Sequence, residues 1–386
     1  MHNNIKGKKL AILENNLLST YTMREALMLR LKEEGYEIYV ITHTNKFIKI
    51  VQKWGIDVIH VGSSNDNPFD ILKYIYQVYK ALKKIEPDVC LTFSIRPAIW
   101  GNMVTRILGI PTITNITGTG PLFISNSFVY KVARAMYRFV LRKTKKVFFQ
   151  NYDDMELFLK NKFIESAVGE RIPGSGVDYM KFKPRHLTAK KHHPFVFLFI
   201  GRLIKDKGIF EYINAARVIK KEYPSVIFRV IGPLWSQNLK ANIITQAELH
   251  SWINEEIIDY LGEKKDVRQY IAESNCIVLP SYREGTSNVL LEAGSMEKPS
   301  ITSNTTGCKE IVEDGQTGFL CKVQDYEDLL EKMRCMLSLT EAERIRMGQK
   351  ARIKIIKEYD KEIVINAYLK AIDSLIGDQS LVPSLI

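Results

Sequence analysis

Two glutamates, Glu284 and Glu292, bracket the stretch Gly285-Thr286-Ser287-Asn288-Val289, and the apolar run Cys276-Ile277-Val278-Leu279 leads into it through Pro280. Hydroxyl and amide side chains at Thr286 to Asn288 suit a helix N-cap, and no bulky side chain stands in the first turn before Val289. The free N–H groups of such a helix start, with the dipole behind them, make a phosphate site. A carboxylate beside a phosphate is useful only if it bonds something else, and the hydroxyls of a sugar nucleotide fit that need. A second segment, Gly201-Arg202-Leu203-Ile204-Lys205-Asp206-Lys207-Gly208, follows the apolar run Phe195–Ile200. Arg202 and Lys207, held at the carboxyl end of a strand, can neutralise charge developing on a diphosphate leaving group.

These residues need strands to hold them and helices to start beside them. Short β-branched runs (Lys9–Leu13, Tyr36–Thr42, Val58–Val61, Val89–Phe93, Thr112–Ile116) alternate with amphipathic stretches such as Thr22–Glu34 and Ile71–Ile85. The alternation continues through Phe195–Gly201, Val226–Ile231, Ile257–Leu261, Cys276–Leu279 and Ser300–Ser303, with helical patterns at Phe210–Glu222 and Tyr326–Leu337. Such alternation predicts an α/β protein with parallel sheets covered on both faces, and its length predicts two doubly wound Rossmann-like domains. The seam is expected near 172–194, dividing the chain into domains 1–184 and 185–360. A last helix near Lys361–Ile376 within 361–386 is expected to pack back on the first domain. His186, His192 and His193 lie in the linker without an acidic or cysteine partner at metal-ligand spacing, so a solvated linker is the expectation.

At 386 residues, 46% hydrophobic and 25% charged, the chain has the composition of a soluble two-domain protein, and no apolar run approaches a membrane span. Five widely spaced cysteines without a C-x-x-C pattern suggest a reduced, cytoplasmic protein. The net charge of +12 is uneven: residues 1–186 hold 28 Lys/Arg against 16 Asp/Glu, and the remainder is neutral. A basic half suits an anionic membrane surface or nucleic acid; no nucleic-acid recognition module accompanies the charge, and no nucleic-acid partner is expected.

Gly201-Arg202 with Lys207-Gly208, followed by Glu284 and Glu292, resembles the retaining glycosyltransferases of the GT-B fold, family 4. Further matches are Ile172-Pro173, Gly176-Val177-Asp178 and the stretch from Gly307 to Leu320. The resemblance covers nearly the whole chain and implies an active site in a cleft between the two domains. It implies that Arg202 and Lys207 bind the nucleotide diphosphate, that backbone N–H groups around Ser287–Val289 hold its phosphate oxygens, and that Glu292 accepts from the ribose hydroxyls. Glu284 would contact the donor sugar ring, and Gly232-Pro233 with Tyr260–Glu263 would seat the base. The family needs no metal; no D-x-D occurs here, and no cofactor is expected.

The first half departs from the family pattern. Glu14-Asn15-Asn16 stands where many relatives carry a Gly-Gly turn, and Ser94-Ile95-Arg96-Pro97 where many carry a His. Arg96 either meets an acceptor or donor phosphate or is a solvated loop cation. Thr117-Gly118-Thr119-Gly120 follows another strand, and its glycines allow close backbone approach to an acceptor. This arrangement is similar to the subgroup that extends polyprenyl-diphosphate-linked saccharides. Within 123–149, Lys131, Arg134, Arg138, Arg142 and Lys145 recur at helical spacing with Phe128, Val132, Ala135 and Phe139 among them. A basic amphipathic helix suits an anionic leaflet; the alternative is a core helix with a solvated basic face. The expected function is transfer of an N-acetylhexosamine from a UDP donor to a saccharide on undecaprenyl diphosphate, by a protein peripheral on the inner face of the membrane. An epimerase of the same architecture and a non-catalytic basic binding protein are the alternatives.

Overall fold

The computed structural model describes residues 7–44, 47–62, 67–119, 128–142, 144–185, 194–234 and 243–379, with the side chains of 128–130 and 378–379 outside the description. His186, His192, His193, Gly120 and residues 123–127 therefore lie outside the described residues. The chain forms two compact units: one runs to Ser175 and includes the chain from Lys361 onward, and the other is Gly176–Asp360.

The first unit contains β1 (Lys9–Leu13), α1 (Leu17–Met23), α2 (Glu25–Glu33), β2 (Glu37–Thr42), α3 (Ile48–Lys53), β3 (Asp57–His60), α4 (Pro68–Ile85) and β4 (Val89–Phe93). It continues with α5 (Asn102–Leu108), β5 (Thr112–Ile116), α6 (Phe128–Leu141), β6 (Lys146–Phe149), α7 (Tyr152–Lys160) and β7 (Gly169–Arg171). Its seven strands order as β3-β2-β1-β4-β5-β6-β7, all parallel. Every residue of β4 and β5 is buried, as parallel strands covered on both faces require.

The second unit contains β8 (Val196–Ile200), α8 (Ile209–Glu222), β9 (Ile227–Ile231), α9 (Gln246–Asn254), β10 (Asp259–Tyr260), α10 (Arg268–Glu273) and β11 (Cys276–Leu279). It ends with α11 (Asn288–Ser295), β12 (Ser300–Ser303), β13 (Gly318–Cys321), α12 (Tyr326–Ser338) and α13 (Glu341–Tyr359). The six strands order as β10-β9-β8-β11-β12-β13, again all parallel. In each sheet the strand order reverses once, between β1 and β4 and between β8 and β11. Loops diverge at such a reversal and leave a crevice at the carboxyl ends of the strands.

The last helix, α14 (Lys361–Gln379), lies in the first unit. Val364, Ile365, Tyr368, Ile372 and Leu375 are buried with β1, β2 and β4 residues. Asn115 Nδ2 donates to the Tyr368 hydroxyl at 2.5 Å, and the Phe93 and Phe148 rings flank the Tyr368 ring.

Three expectations need correction. The helix expected over Thr22–Glu34 is two helices that meet at Arg24, whose φ of −121° breaks the α-helical path. The basic stretch 123–149 is not one helix: α6 ends at Leu141 and Lys146–Phe149 is the buried strand β6, so Lys145 is off the helix. The chain passes to the second unit nine residues ahead of the seam expected after 184, because Val177 and Phe182 pack into the second core and Val177 N–H bonds the Tyr359 carbonyl.

Candidate active site

Three loops meet at the β8/β11 crevice and are laced by their own backbones. Tyr282 N–H and Ser281 Oγ both donate to the Asp206 carbonyl, at 2.9 and 3.1 Å. Glu284 N–H donates to the Thr306 carbonyl at 3.0 Å, Ser287 N–H to the Gly307 carbonyl at 3.1 Å, and Thr305 Oγ1 to the Tyr282 carbonyl at 2.9 Å. Two glycines make this approach possible. A Cβ on Gly208 (φ +73°) would stand 2.0 Å from the Pro280 carbonyl oxygen, and one on Gly307 (φ +77°) 2.5 Å from that of Glu284.

This frame brings Lys207 and Glu284, 77 residues apart, into an ion pair between Lys207 Nζ and Glu284 Oε1 with both side chains largely buried. Lys207 closes the short 3₁₀ turn Lys205–Lys207 just before α8. Arg202 is exposed at the carboxyl end of β8. Helix α11 begins at Asn288 after the buried N-cap Ser287, whose side chain makes no capping bond. Asn288, Val289 and Leu290 occupy the first turn, where N–H groups have no intrahelical acceptor. The Ser287 N–H, one of the expected phosphate donors, is engaged by the Gly307 carbonyl. Gly285 and Thr286 are half-buried in the loop between Glu284 and the helix.

Glu292, one turn into α11, is half-buried, and burial pushes its carboxyl up to about 7, with Lys181 lowering it less and Asp266 adding repulsion. Lys181 was not foreseen; it is one of several basic residues in 181–185, and nothing in the sequence ties it to α11. The two segments expected to seat a base meet: Tyr260 Oη donates to the Gly232 carbonyl at 2.9 Å. Among the described residues no three His, Cys, Asp or Glu side chains group as metal ligands would.

The first unit has its own polar cluster at the β1/β4 crevice. Glu14, just past β1, is buried and pairs with the Arg24 guanidinium at 2.7 Å. Ser94 Oγ, just past β4, donates to Glu14 Oε1 at 3.3 Å from a residue at φ +72°. Arg24 lies 4.1 Å above the Phe93 ring and Arg96 4.6 Å above the Tyr74 ring, both arginines buried. Desolvation raises the Glu14 carboxyl despite Arg24. Arg96 is thus a buried, ring-stacked cation at the start of a π-helical turn, Pro97–Gly101, and not a solvated one. Thr117 and Gly118 are half-buried past β5, and Thr119 Oγ1 donates to Asp154 Oδ1 at 2.9 Å. On α6, Lys131 and Arg138 are exposed and Arg134 is half-buried, with Arg142 exposed just past the helix end, while Tyr137, Val140 and Leu141 face the core. Arg24 had been hidden in an apparently continuous helix.

The second unit, with its phosphate-sized helix start and paired basic and acidic side chains, matches the family described as glycosyl transferases group 1 over residues 182–354. The first unit matches the family described as glycosyl transferase 4-like over residues 9–151. This chain is a GT-B glycosyltransferase. Similar solved structures include HepE of Anabaena in complex with UDP and glucose (TM-score 0.77, 17% identity, 95% of this chain and 100% of that one). Sucrose-phosphate synthase of Thermosynechococcus elongatus aligns at a TM-score of 0.80 with 16% identity, over 96% of this chain and 100% of that one. Among relatives, the glycosyltransferase is 24% identical to the N,N'-diacetylbacillosaminyl-diphospho-undecaprenol alpha-1,3-N-acetylgalactosaminyltransferase of Campylobacter jejuni, covering 93% of this chain and 96% of that one. It is 27% identical to the UDP-Gal:alpha-D-GlcNAc-diphosphoundecaprenol alpha-1,3-galactosyltransferase of Escherichia coli, over 68% of this chain and 69% of that one.

Proposed function

We propose that this glycosyltransferase moves an N-acetylhexosamine from a UDP donor onto a saccharide carried on undecaprenyl diphosphate, retaining the anomeric configuration and using no metal. The observation that carries the reading is the Lys207–Glu284 pair beside the open start of α11, all at the β8/β11 crevice. Lys207 and Arg202 supply positive charge where the nucleotide diphosphate leaves, and the first-turn N–H groups of α11 hold its oxygens. Glu284, oriented by Lys207 and by the loop from Thr305 to Glu310, faces the donor sugar and fixes it for attack. Glu292 accepts from the ribose hydroxyls, and Tyr260 with Gly232 borders the base. Arg96, Thr117 and Gly118 serve the acceptor. The polyprenyl carrier is supported by what the Campylobacter and Escherichia relatives are named for.

The protein acts at the inner face of the membrane, where the acceptor's lipid lies, and the basic residues Lys131, Arg134 and Arg138 of α6 and Arg142 just past its end approach anionic headgroups. Among the described residues no helix is long and apolar enough to cross a membrane. The test is a screen of UDP- and GDP-sugars against polyprenyl-diphosphate-linked acceptors, with and without a chelator, reading anomeric configuration in the product. Transfer from a UDP-N-acetylhexosamine with retention, undiminished by chelation, is expected. A sugar converted without acceptor, or no affinity for any sugar nucleotide, would overturn the reading.

A further inference from the structure

Helix α4 presents to solvent a face that its sequence alone disguises as core. Phe69, Leu72 and Tyr76 are 84%, 64% and 65% exposed. Lys73, Lys80 and Lys83 are exposed as well. At 100° per residue these six positions fall within a stripe roughly 100° wide. The opposite side carries Tyr74, Val78, Leu82 and Ile85, all buried in the sheet-facing core. Three large apolar side chains and three lysines therefore share one outward stripe. The carboxylate of this helix, Asp70, is half-buried and accepts from the Asn67 side-chain amide at 2.7 Å.

The neighbourhood carries the same charge. From Asp88 to Asp153 the chain has no acidic residue, while nine Lys/Arg occur in that interval. Helix α5 touches both α4 and α6, so the three helices form one layer on one side of the sheet. Phe139 of α6 is exposed, and the Arg106 guanidinium of α5 lies 4.3 Å above its ring. An arginine already covers the exposed Phe139 of α6, whereas Phe69 and Tyr76 of α4 stand proud.

We infer that α4 is an interfacial anchor, its Phe69, Leu72 and Tyr76 entering the headgroup–acyl boundary of an anionic bilayer while Lys73, Lys80 and Lys83 engage lipid phosphates. A protein partner with a complementary face would have to be acidic and apolar in alternation; a leaflet of anionic lipid is both by nature. The inference deepens the membrane part of the functional reading and moves the apolar anchor from α6 to α4, leaving α6 an electrostatic role.

The test is flotation of the full chain with phosphatidylglycerol/phosphatidylcholine vesicles and with pure phosphatidylcholine, together with an L72W reporter. The wild type is expected to bind the anionic vesicles and the Trp emission to shift to the blue on binding. F69S/L72S/Y76S should bind about tenfold more weakly and lose whatever binding survives high salt. K73Q/K80Q/K83Q should lose about fivefold per lysine at low salt. Both triple variants should turn over a water-soluble acceptor analogue as the wild type does, which separates this inference from the assignment of the reaction. Vesicle binding by a protein that transfers no sugar would sink the proposed function and leave the anchor standing. Unchanged binding of F69S/L72S/Y76S, no shift at the L72W reporter, or a dimer that the apolar triple variant dissolves would overturn the anchor.

Discussion

Glu292→Gln should make the protein more stable and its nucleotide site weaker at once. Burial holds the Glu292 carboxyl near 7 against an ordinary value of 4.5. The sign follows from the native state's tighter grip on the proton. The stabilising contribution of this group is complete below about pH 4.5 and is lost as pH rises through about 7, leaving a deficit of about 3 kcal/mol above that. Glutamine keeps the shape without the charge. At about pH 8 the variant should unfold some 6–12 °C higher if the second unit unfolds as a cooperative domain, and near pH 4 the advantage should vanish. Nucleotide binding should move oppositely, because ribose hydroxyls donate to a carboxylate more strongly than to an amide. The loss of a charge-assisted bond weakens UDP binding by about 10- to 100-fold at neutral pH. Wild-type affinity should also fall as pH drops below about 7, since the carboxyl must then shed a proton to accept both hydroxyls, while the variant lacks that dependence. Calorimetric titration with UDP and thermal unfolding, each from about pH 4 to 8, measure both arms. A variant with no pH-dependent gain in stability would refute the burial argument, and one with unchanged UDP affinity would refute the ribose contact.

Glu284→Ala should abolish transfer while leaving UDP binding within a few-fold of wild type; near-normal turnover would remove Glu284 from the donor site. Lys207→Ala should raise the donor KM and lower kcat together, by about 100-fold in kcat/KM, as expected for a cation lost from a leaving diphosphate. Gly307→Ala sets a Cβ against the Glu284 carbonyl and should cut activity by about tenfold or more at unchanged circular dichroism. Arg24→Ala strands the buried Glu14 carboxylate and should cost about 3–5 kcal/mol, less in acid where Glu14 protonates; denaturant unfolding at two pH values would show it.

Much of the fold was legible because parallel strands buried on both faces must be apolar for nearly their whole length, as Val196–Ile200 and Cys276–Leu279 are. What escaped follows from the same rule. Gly169–Arg171 is a short, polar edge strand with no such signature. The run Arg142–Lys146 carries the basic rhythm of α6 past its end and masks the start of β6. At the candidate site, the strand–loop–helix context of Arg202, Lys207, Glu284 and Glu292 can be read along the chain, but the Lys207–Glu284 contact cannot, because it exists only where β8 and β11 are neighbours. Arg24 was invisible because arginine is a good helix former, and its inward turn depends on a carboxylate ten residues earlier. Likewise the amphipathic pattern of Ile71–Ile85 has large apolar residues on both sides of the helix, and only the position of the sheet shows that Leu72 and Tyr76 lie outside and Tyr74 and Val78 inside.

The placement of α14 has a consequence for how the chain comes into being. The first unit is closed by residues that follow the second along the chain, with the whole Gly176–Asp360 unit synthesised in between. Val364, Ile365, Tyr368, Ile372 and Leu375 together bury apolar surface worth on the order of 10 kcal/mol, comparable to a domain's entire stability. The second unit has all its strands before that helix is made and can fold as it emerges, whereas the first waits, its β-sheet flank uncovered, until Val364 to Leu375 have been made. A message truncated after Asp360 would therefore yield a folded second unit attached to an unfinished first one, so the unit earlier in sequence is the later to be completed.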